Sequence, residues 1–412
     1  MGSRRHRPRL EPAMIDATAV NVALPRIGRD LGGGLAALQW TVNAYTLALT
    51  AFLLLGGALG DHHGRKRVFL VGVVWFAVAS GLCALAPSAG FLIGARALQG
   101  IGGALLTPGS LAIIEASFQP EDRSTAIGAW SGLGGVAAAV GPVLGGWLVE
   151  AVSWRLIFLI NLPLAAGVVW VGVRHVPESR NPGRRQAILP LDLFRSRQFD
   201  AANLVTFVVY AALGGALFLV PVVLQVVLGF SPIGAGAALV PITILMLALS
   251  ARAGRLAQRI GPRMPMTFGP VVAGVGLALL TRVGVHSGYA GAVLPGVGVF
   301  GLGLALTVAP LTSAVLAAAS QAHVGVASAV NNEVSRLGGF IAVAVLPIAA
   351  GISTRTYHHP AELASGFHTA MWITAGLCVA GGLLAGATIR RPTPAPRPSA
   401  RYHCAVEATP VV

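Results

Sequence analysis

Apolar residues along this chain gather into twelve long blocks separated by short polar or glycine-containing turns. The blocks run roughly over 10–25, 38–60, 68–86, 90–117, 125–149, 156–173, 200–227, 233–250, 266–283, 290–316, 325–351 and 367–389. A hydrocarbon layer about 30 Å thick takes about 20 helical residues. The predicted fold is therefore an all-α membrane protein with about twelve transmembrane helices. The first block is the weakest, because residues 10–24 rise only about 22 Å as a helix. The predicted units are a basic leader at 1–9, a six-helix bundle over 10–173, a linker at 174–199, a second six-helix bundle over 200–389 and a tail at 390–412. The tail is Pro-rich and basic and is expected to be disordered.

Composition supports the membrane reading. Charged residues make up 10% of the 412 and hydrophobic residues 55%, with a mean hydropathy of +0.75. A soluble domain carries about 25% charged residues. The net charge of +15 would suggest nucleic acid if it lay on one surface. Its placement says otherwise. With the blocks as spans, 22 of the 29 Lys and Arg fall on one side and five on the other (Arg26, Arg29, Arg155, Arg282, Arg355), while Arg96 and Arg336 lie within spans. Such asymmetry marks cytosolic loops. It predicts a multi-pass plasma-membrane protein with both termini in the cytosol and no nucleic-acid partner. Glu11 and Asp16 interrupt any apolar core behind the basic leader, which argues against a cleaved signal. Cys83, Cys378 and Cys404 form neither a disulfide framework nor a metal spacing.

The fifth block is not a plain apolar span. Ser124 to Val149 holds no charge, and Ala137, Gly141 and Gly145 recur at i, i+4, i+8 as one smooth stripe. Such a stripe lets another helix come close. Pro142 should bend the helix one turn back, at Ala138. Two readings stay open, a moving seam between bundles and a tightly packed helix with no moving role.

Four charges fall within spans away from their ends, Asp16, Arg96, Glu333 and Arg336, while Glu11, Glu115, Asp200 and Arg282 sit at span ends. A charge in hydrocarbon is costly and usually faces a cavity or a partner. Asp16 reads either as a proton carrier or as the cap of a short helix. Arg96 pairs either with Asp16 or with backbone carbonyls. Glu333 and Arg336 are i, i+3 neighbours, so they read as a structural ion pair or as a second proton site.

Gly57-Ala58-Leu59-Gly60-Asp61-His62-His63-Gly64-Arg65-Lys66-Arg67 follows the second span. Its glycines allow a tight turn, and Asp61 can receive hydrogen bonds from a helix N-terminus or pair with Arg65. The pattern returns at Gly254–Arg263, about 197 residues on, with Gln258 in place of Asp61. Thr307–Leu316 likewise resembles Thr107–Ile114. Such a repeat means two similar six-span halves about an axis along the membrane normal, with a cavity between them. Gly296–Gly301 matches a dinucleotide fingerprint but follows no strand, and reads as helix packing.

Taken together, these stretches resemble the drug:proton antiporters of the major facilitator superfamily, in their QacA/EmrB-type, fourteen-span branch. The likeness is carried by Gly134–Gly146 with Gly141-Pro142 and Gly145-Gly146, by Asp16–Pro25, by Gly57–Arg67, by Arg96–Ala104 and by Trp154–Pro163. The chain departs from that pattern at His62, in its short first span, and in a linker too polar to hold two extra spans, which leaves twelve. The resemblance implies export of small amphipathic drugs or antibiotics in exchange for protons, by a monomer in the lipid bilayer. The proton motive force would drive it, with no cofactor. Asp16 would accept the proton, with Arg96 as its switchable partner. Gly57, Asp61, Gly64, Arg65 and Lys66 would form the gating loop, and Gly141, Pro142, Gly145 and Gly146 the hinge. Trp40, Asn43, Gln99, Asn161, Asn331, Glu333 and Arg336 would line the cavity. No catalytic residue and no metal ligand are expected. The rival readings are a uniporter or importer of the same fold, an inactive shortened relative, and a membrane-embedded enzyme built on His358-His359 with Glu362.

Overall fold

The computed structural model describes residues 12–117, 140–175, 178, 194–318 and 324–389, without the side chains of 12–18, 54, 61, 108–117, 175, 324 and 325. The leader, the tail, most of the linker and the half of the fifth block with Ala137 and the expected bend at Ala138 lie outside the described residues.

The first helix, α1, runs over Pro12–Leu31 and passes straight through Pro25. Proline removes the donor that would have reached the Asn21 carbonyl, yet the helix continues past it. Arg29 Nε donates to the Pro25 carbonyl at 3.4 Å, and Arg26 pairs with Asp30 at 3.3 Å, one turn on. Twenty residues reach about 30 Å, enough to cross the hydrocarbon layer. The helix runs past the expected block, but its added turns carry Arg26, Arg29 and Asp30, so the apolar stretch itself is no longer than expected.

The chain continues through α2 (Leu35–His63), α3 (Arg65–Ala84), α4 (Ala89–Ser117), α5 (Val140–Ala151) and α6 (Arg155–Arg174). The second half holds α7 (Arg197–Val226), α8 (Pro232–Ile260), α9 (Arg263–Leu279), α10 (Leu294–Ala317), α11 (Val324–Ala349) and α12 (Pro360–Thr388). Among the described residues, nine helices are long and apolar enough to cross a membrane. α8 outlasts its expected block by ten residues. Its last turns are polar outside, with Arg252, Arg255 and Arg259 exposed, but Ala253 and Ala257 stay buried and hold the helix down. Many large apolar side chains face outward, among them Trp372, Leu383 and Ile348. In a bilayer this surface meets lipid tails rather than water.

The two halves repeat in their turns and in their crossings. Gly32 and Gly229 both turn at φ 67, and Gly64 and Gly261 at φ 107 and 88. Each pair is 197 residues apart (229 − 32 and 261 − 64). Gly72 of α3 abuts Leu105 and Leu106 of α4, as Gly269 of α9 abuts Leu306 and Thr307 of α10. Gly102 likewise meets Phe76, and Gly303 meets Ala273. In each half the fourth helix therefore packs along the second and third. A side chain at any of these crossings would drive the backbones apart.

The halves meet through α1 with α7, α2 with α11, and α5 with α8. The described cross-bundle hydrogen bonds cluster on the face away from the basic loops. Gln39 Nε2 donates to the Val343 carbonyl at 2.6 Å, and Gln225 Nε2 donates to the Val22 carbonyl at 2.8 Å. The Ile233 amide donates to the Glu150 carboxylate at 3.2 Å. Gly34 packs on Thr354 at the same face. That face is closed.

Candidate functional site

Arg96 is 1% exposed and stands where α4 packs on α2 and α3. Its Nε donates to the Thr41 carbonyl at 3.1 Å, and Nη1 donates to Gln99 Oε1 at 2.7 Å. The Tyr45 ring lies 4.4 Å from Cζ and the Phe158 ring 5.7 Å. These partners are neutral. Carbonyl oxygens and aromatic faces stabilise a buried guanidinium. Asp16 belongs to α1, which touches α4, but its side chain lies outside the described residues.

The structure corrects two cavity-wall expectations. Gln99 and Asn161 are both 0% exposed. They lie inside the first bundle, in a hydrogen-bonded cluster with Arg96 and Ser80. Sequence spacing shows which residues share a face of one helix, but not which neighbour that face meets. Asn43 is 4% exposed and Trp40 50%. Residues three apart differ by about 60° around a helix, enough to bury one and leave the other at the rim. Asn331 donates to Asn203 Oδ1 at 3.1 Å and to Thr206 Oγ at 2.7 Å on α7, so its amide is engaged within the second bundle.

Glu333 lies nine residues into α11, between the bundles. Arg336 Nε stands 3.8 Å from its Oε1, beyond hydrogen-bonding range. Thr50 of α2 approaches from the other bundle without completing a hydrogen bond, and both carboxylate oxygens are buried without a described donor. The pair with Arg336 therefore exists but is loose. Two buried acceptor oxygens at a bundle interface suit a ligand that brings donors.

The glycines of the expected hinge lie at two seams. Gly145 meets Ala19 of α1 inside the first bundle. Gly146 meets the backbone at Pro232 and Ile233 of α8 across the interface, and Gly236 of α8 meets the Pro142 carbonyl in return. Close backbone contact without interlocking side chains is the surface on which two bundles can rock.

In the loop between α2 and α3, Gly64 adopts φ 107, a conformation that favours glycine. The start of α3 is held from the linker: the Lys66 amide donates to Glu178 Oε1 at 3.1 Å, and Lys66 Nζ donates to the Val173 carbonyl at 3.1 Å. The Asp61 side chain lies outside the described residues. Glu178 escaped the sequence reading; the available signal was an acid just past a span, beside a basic loop. Ser80 escaped it as well, having no spacing to mark it.

A family model described as the Major Facilitator Superfamily matches residues 12–343. The chain is 31% identical over 399 residues to a probable actinorhodin transporter of Streptomyces coelicolor, covering 81% of this chain and 69% of that protein. It is 30% identical over 391 residues to the tetracenomycin C resistance and export protein of Streptomyces glaucescens, covering 81% and 72%. With a puromycin resistance protein of Streptomyces alboniger it shares 31% over 404 residues, covering 84% and 80%. Among solved structures it is similar to a bacterial homologue of the human lysosomal transporter Spinster, in an inward-facing and unoccupied conformation. There the TM-score is 0.74 at 17% identity, covering 93% of this chain and 96% of that one. A D-xylose–proton symporter gives 0.73 at 16%, covering 92% and 96%. These structures share the fold. With two matched halves, a buried guanidinium in the fourth span and glycine seams between bundles, the chain belongs to the major facilitator superfamily.

Proposed function

We propose that this protein exports small amphipathic drugs or antibiotics in exchange for protons, by alternating access across the plasma membrane. Both termini lie in the cytosol, the basic loops face it, and the monomer is the working unit. The observation that carries the proposal is Arg96: a guanidinium buried in a span, hydrogen-bonded to the Thr41 carbonyl and to Gln99, on a helix beside the one that bears Asp16. Protonation of Asp16 would remove its attraction for Arg96, and the altered charge balance would tip one bundle against the other. The relatives support the substrate class, since several are named for antibiotic transport or resistance. Each charge moved down the membrane potential supplies about 2.3 kcal/mol per 100 mV. That sustains a gradient of roughly fiftyfold.

Everted membrane vesicles test this reading. With a proton gradient, inside acid, they should accumulate puromycin or ethidium, and a protonophore should abolish the accumulation. Accumulation indifferent to the protonophore would instead favour a uniporter of the same fold.

A further inference from the structure

The helices that join the two halves, α1 with α7 and α2 with α11, carry buried side-chain oxygens that have no hydrogen-bond partner among the described residues. Asn21, Asn43, Thr50 and Gln225 each hold one, and Glu333 holds two. Each of these atoms can accept a hydrogen bond, and only the Thr50 hydroxyl can also donate. These helices therefore offer more acceptors than donors.

Glu333 differs from the others because its acceptors bear charge. Arg336 Nε stands 3.8 Å from Oε1, too far for a hydrogen bond, and both carboxylate oxygens stay unfilled. Thr50 of α2 approaches from the opposite half. A carboxylate buried in this way is costly, and a positively charged donor offsets that cost. Apolar surface lies next to the polar pair. Leu47 of α2 and Leu337 of α11 are exposed, one turn from Thr50 and Glu333 respectively. Gln39 and Val343 mark the closed face, so both leucines lie between that face and the polar pair. This arrangement matches a molecule with a charged donor at one end and an apolar body behind it.

We infer that Glu333 binds the head group of the exported molecule, and that this head is an ammonium bearing at least one N–H. The inference rests on the export reading above and narrows its substrate class. An N–H between Glu333 and Thr50 makes a charge-assisted hydrogen bond. A quaternary ammonium has the same charge but no N–H. Its methyl groups keep the charge away from the carboxylate, and it is recognised best by aromatic faces, which Thr50 and Glu333 do not supply.

Equilibrium binding of two radiolabelled probes to the purified full-length protein, in detergent at pH 7, tests this. Decyldimethylammonium keeps one N–H at that pH, because aliphatic amines titrate near pH 10. Decyltrimethylammonium has a methyl group in its place. The parent should bind the first about tenfold more tightly, and Glu333→Gln should bind the two alike. Equal affinities in the parent, binding of neither probe, or a preference that survives Glu333→Gln would overturn the inference. Should Glu333→Gln not fold, labelling of Glu333 by dicyclohexylcarbodiimide is followed in the parent by mass spectrometry. Decyldimethylammonium should then protect Glu333 at concentrations where decyltrimethylammonium does not, and equal protection overturns the inference. No proton gradient is present in either measurement. Failure of the exchange reading shows instead as protonophore-insensitive accumulation in the everted vesicles.

Discussion

Gln39 Nε2, near the start of α2, donates to the Val343 carbonyl of α11 at 2.6 Å and also lies 3.2 Å from the Ala344 carbonyl. The bond joins the two bundles at the face away from the basic loops, so it must break whenever that face opens. A hydrogen bond of this kind is worth about 1 kcal/mol net, about fivefold in an equilibrium constant. Gln39→Ala should therefore raise the population open at that face about fivefold. The alkylation rate of a cysteine placed at Thr354 reads the change directly.

The same face can be locked. A Cβ on Gly34 would lie 3.3 Å from Thr354 Cβ, close to the 3.5–4.5 Å that a disulfide spans. In a Cys404→Ser background, the pair Gly34→Cys with Thr354→Cys should form a disulfide under oxidant, stop transport, and recover it under reductant. Cys83 and Cys378 are buried and need not be replaced. Transport assayed before and after reduction checks this.

The α5–α8 seam has no room for a methyl group. Gly146→Ala would press a Cβ into the backbone at Pro232 and Ile233, and overpacking of this kind costs about 1–3 kcal/mol. It should lower Tm in detergent. Gly90→Ala, whose Cβ meets nothing within 4 Å, should leave Tm unchanged.

Much of this architecture was legible in the residue pattern. Apolar blocks marked the spans, charge asymmetry marked the two faces, and the glycine turns at Gly64 and Gly261 announced the repeat. The rest depended on contacts between distant segments. The first block ended at residue 25 because Arg26, Arg29 and Asp30 follow it, yet α1 continues as helix to Leu31. Gln99 and Asn161 looked like cavity residues because a polar residue in a span suggests water. The alternative, one polar residue satisfying another inside a bundle, requires knowing that Ser80 stands between them. Glu178 lies in a polar linker, where its place just past a span and beside a basic loop was the one signal available.

At the start of α3, the Glu178 carboxylate does the work of a helix cap from outside the helix. Glu178→Ala should cost about 0.5–2 kcal/mol, as other lost caps do, with Glu178→Gln recovering part through its remaining acceptor. Gly64→Ala should cost more, because it joins a strained φ of 107 to a clash with Glu178. Thermal unfolding of the three variants gives the order.

Glu333 separates stability from transport. Its carboxylate is buried without a described hydrogen-bond donor, and removing an unfavourably buried charge is often neutral or stabilising. Glu333→Gln should keep or raise Tm while export of the cation ethidium falls. A large drop in Tm would mean that the loose pair with Arg336 holds the fold.

Proton movement driven by a drug gradient is the most direct reading of the coupling. In liposomes containing the purified protein, a puromycin or ethidium gradient should drive opposing proton flux in the parent. In Asp16→Asn it should drive none, while exchange of labelled for unlabelled drug continues. Flux equal to the parent's in Asp16→Asn would contradict the account.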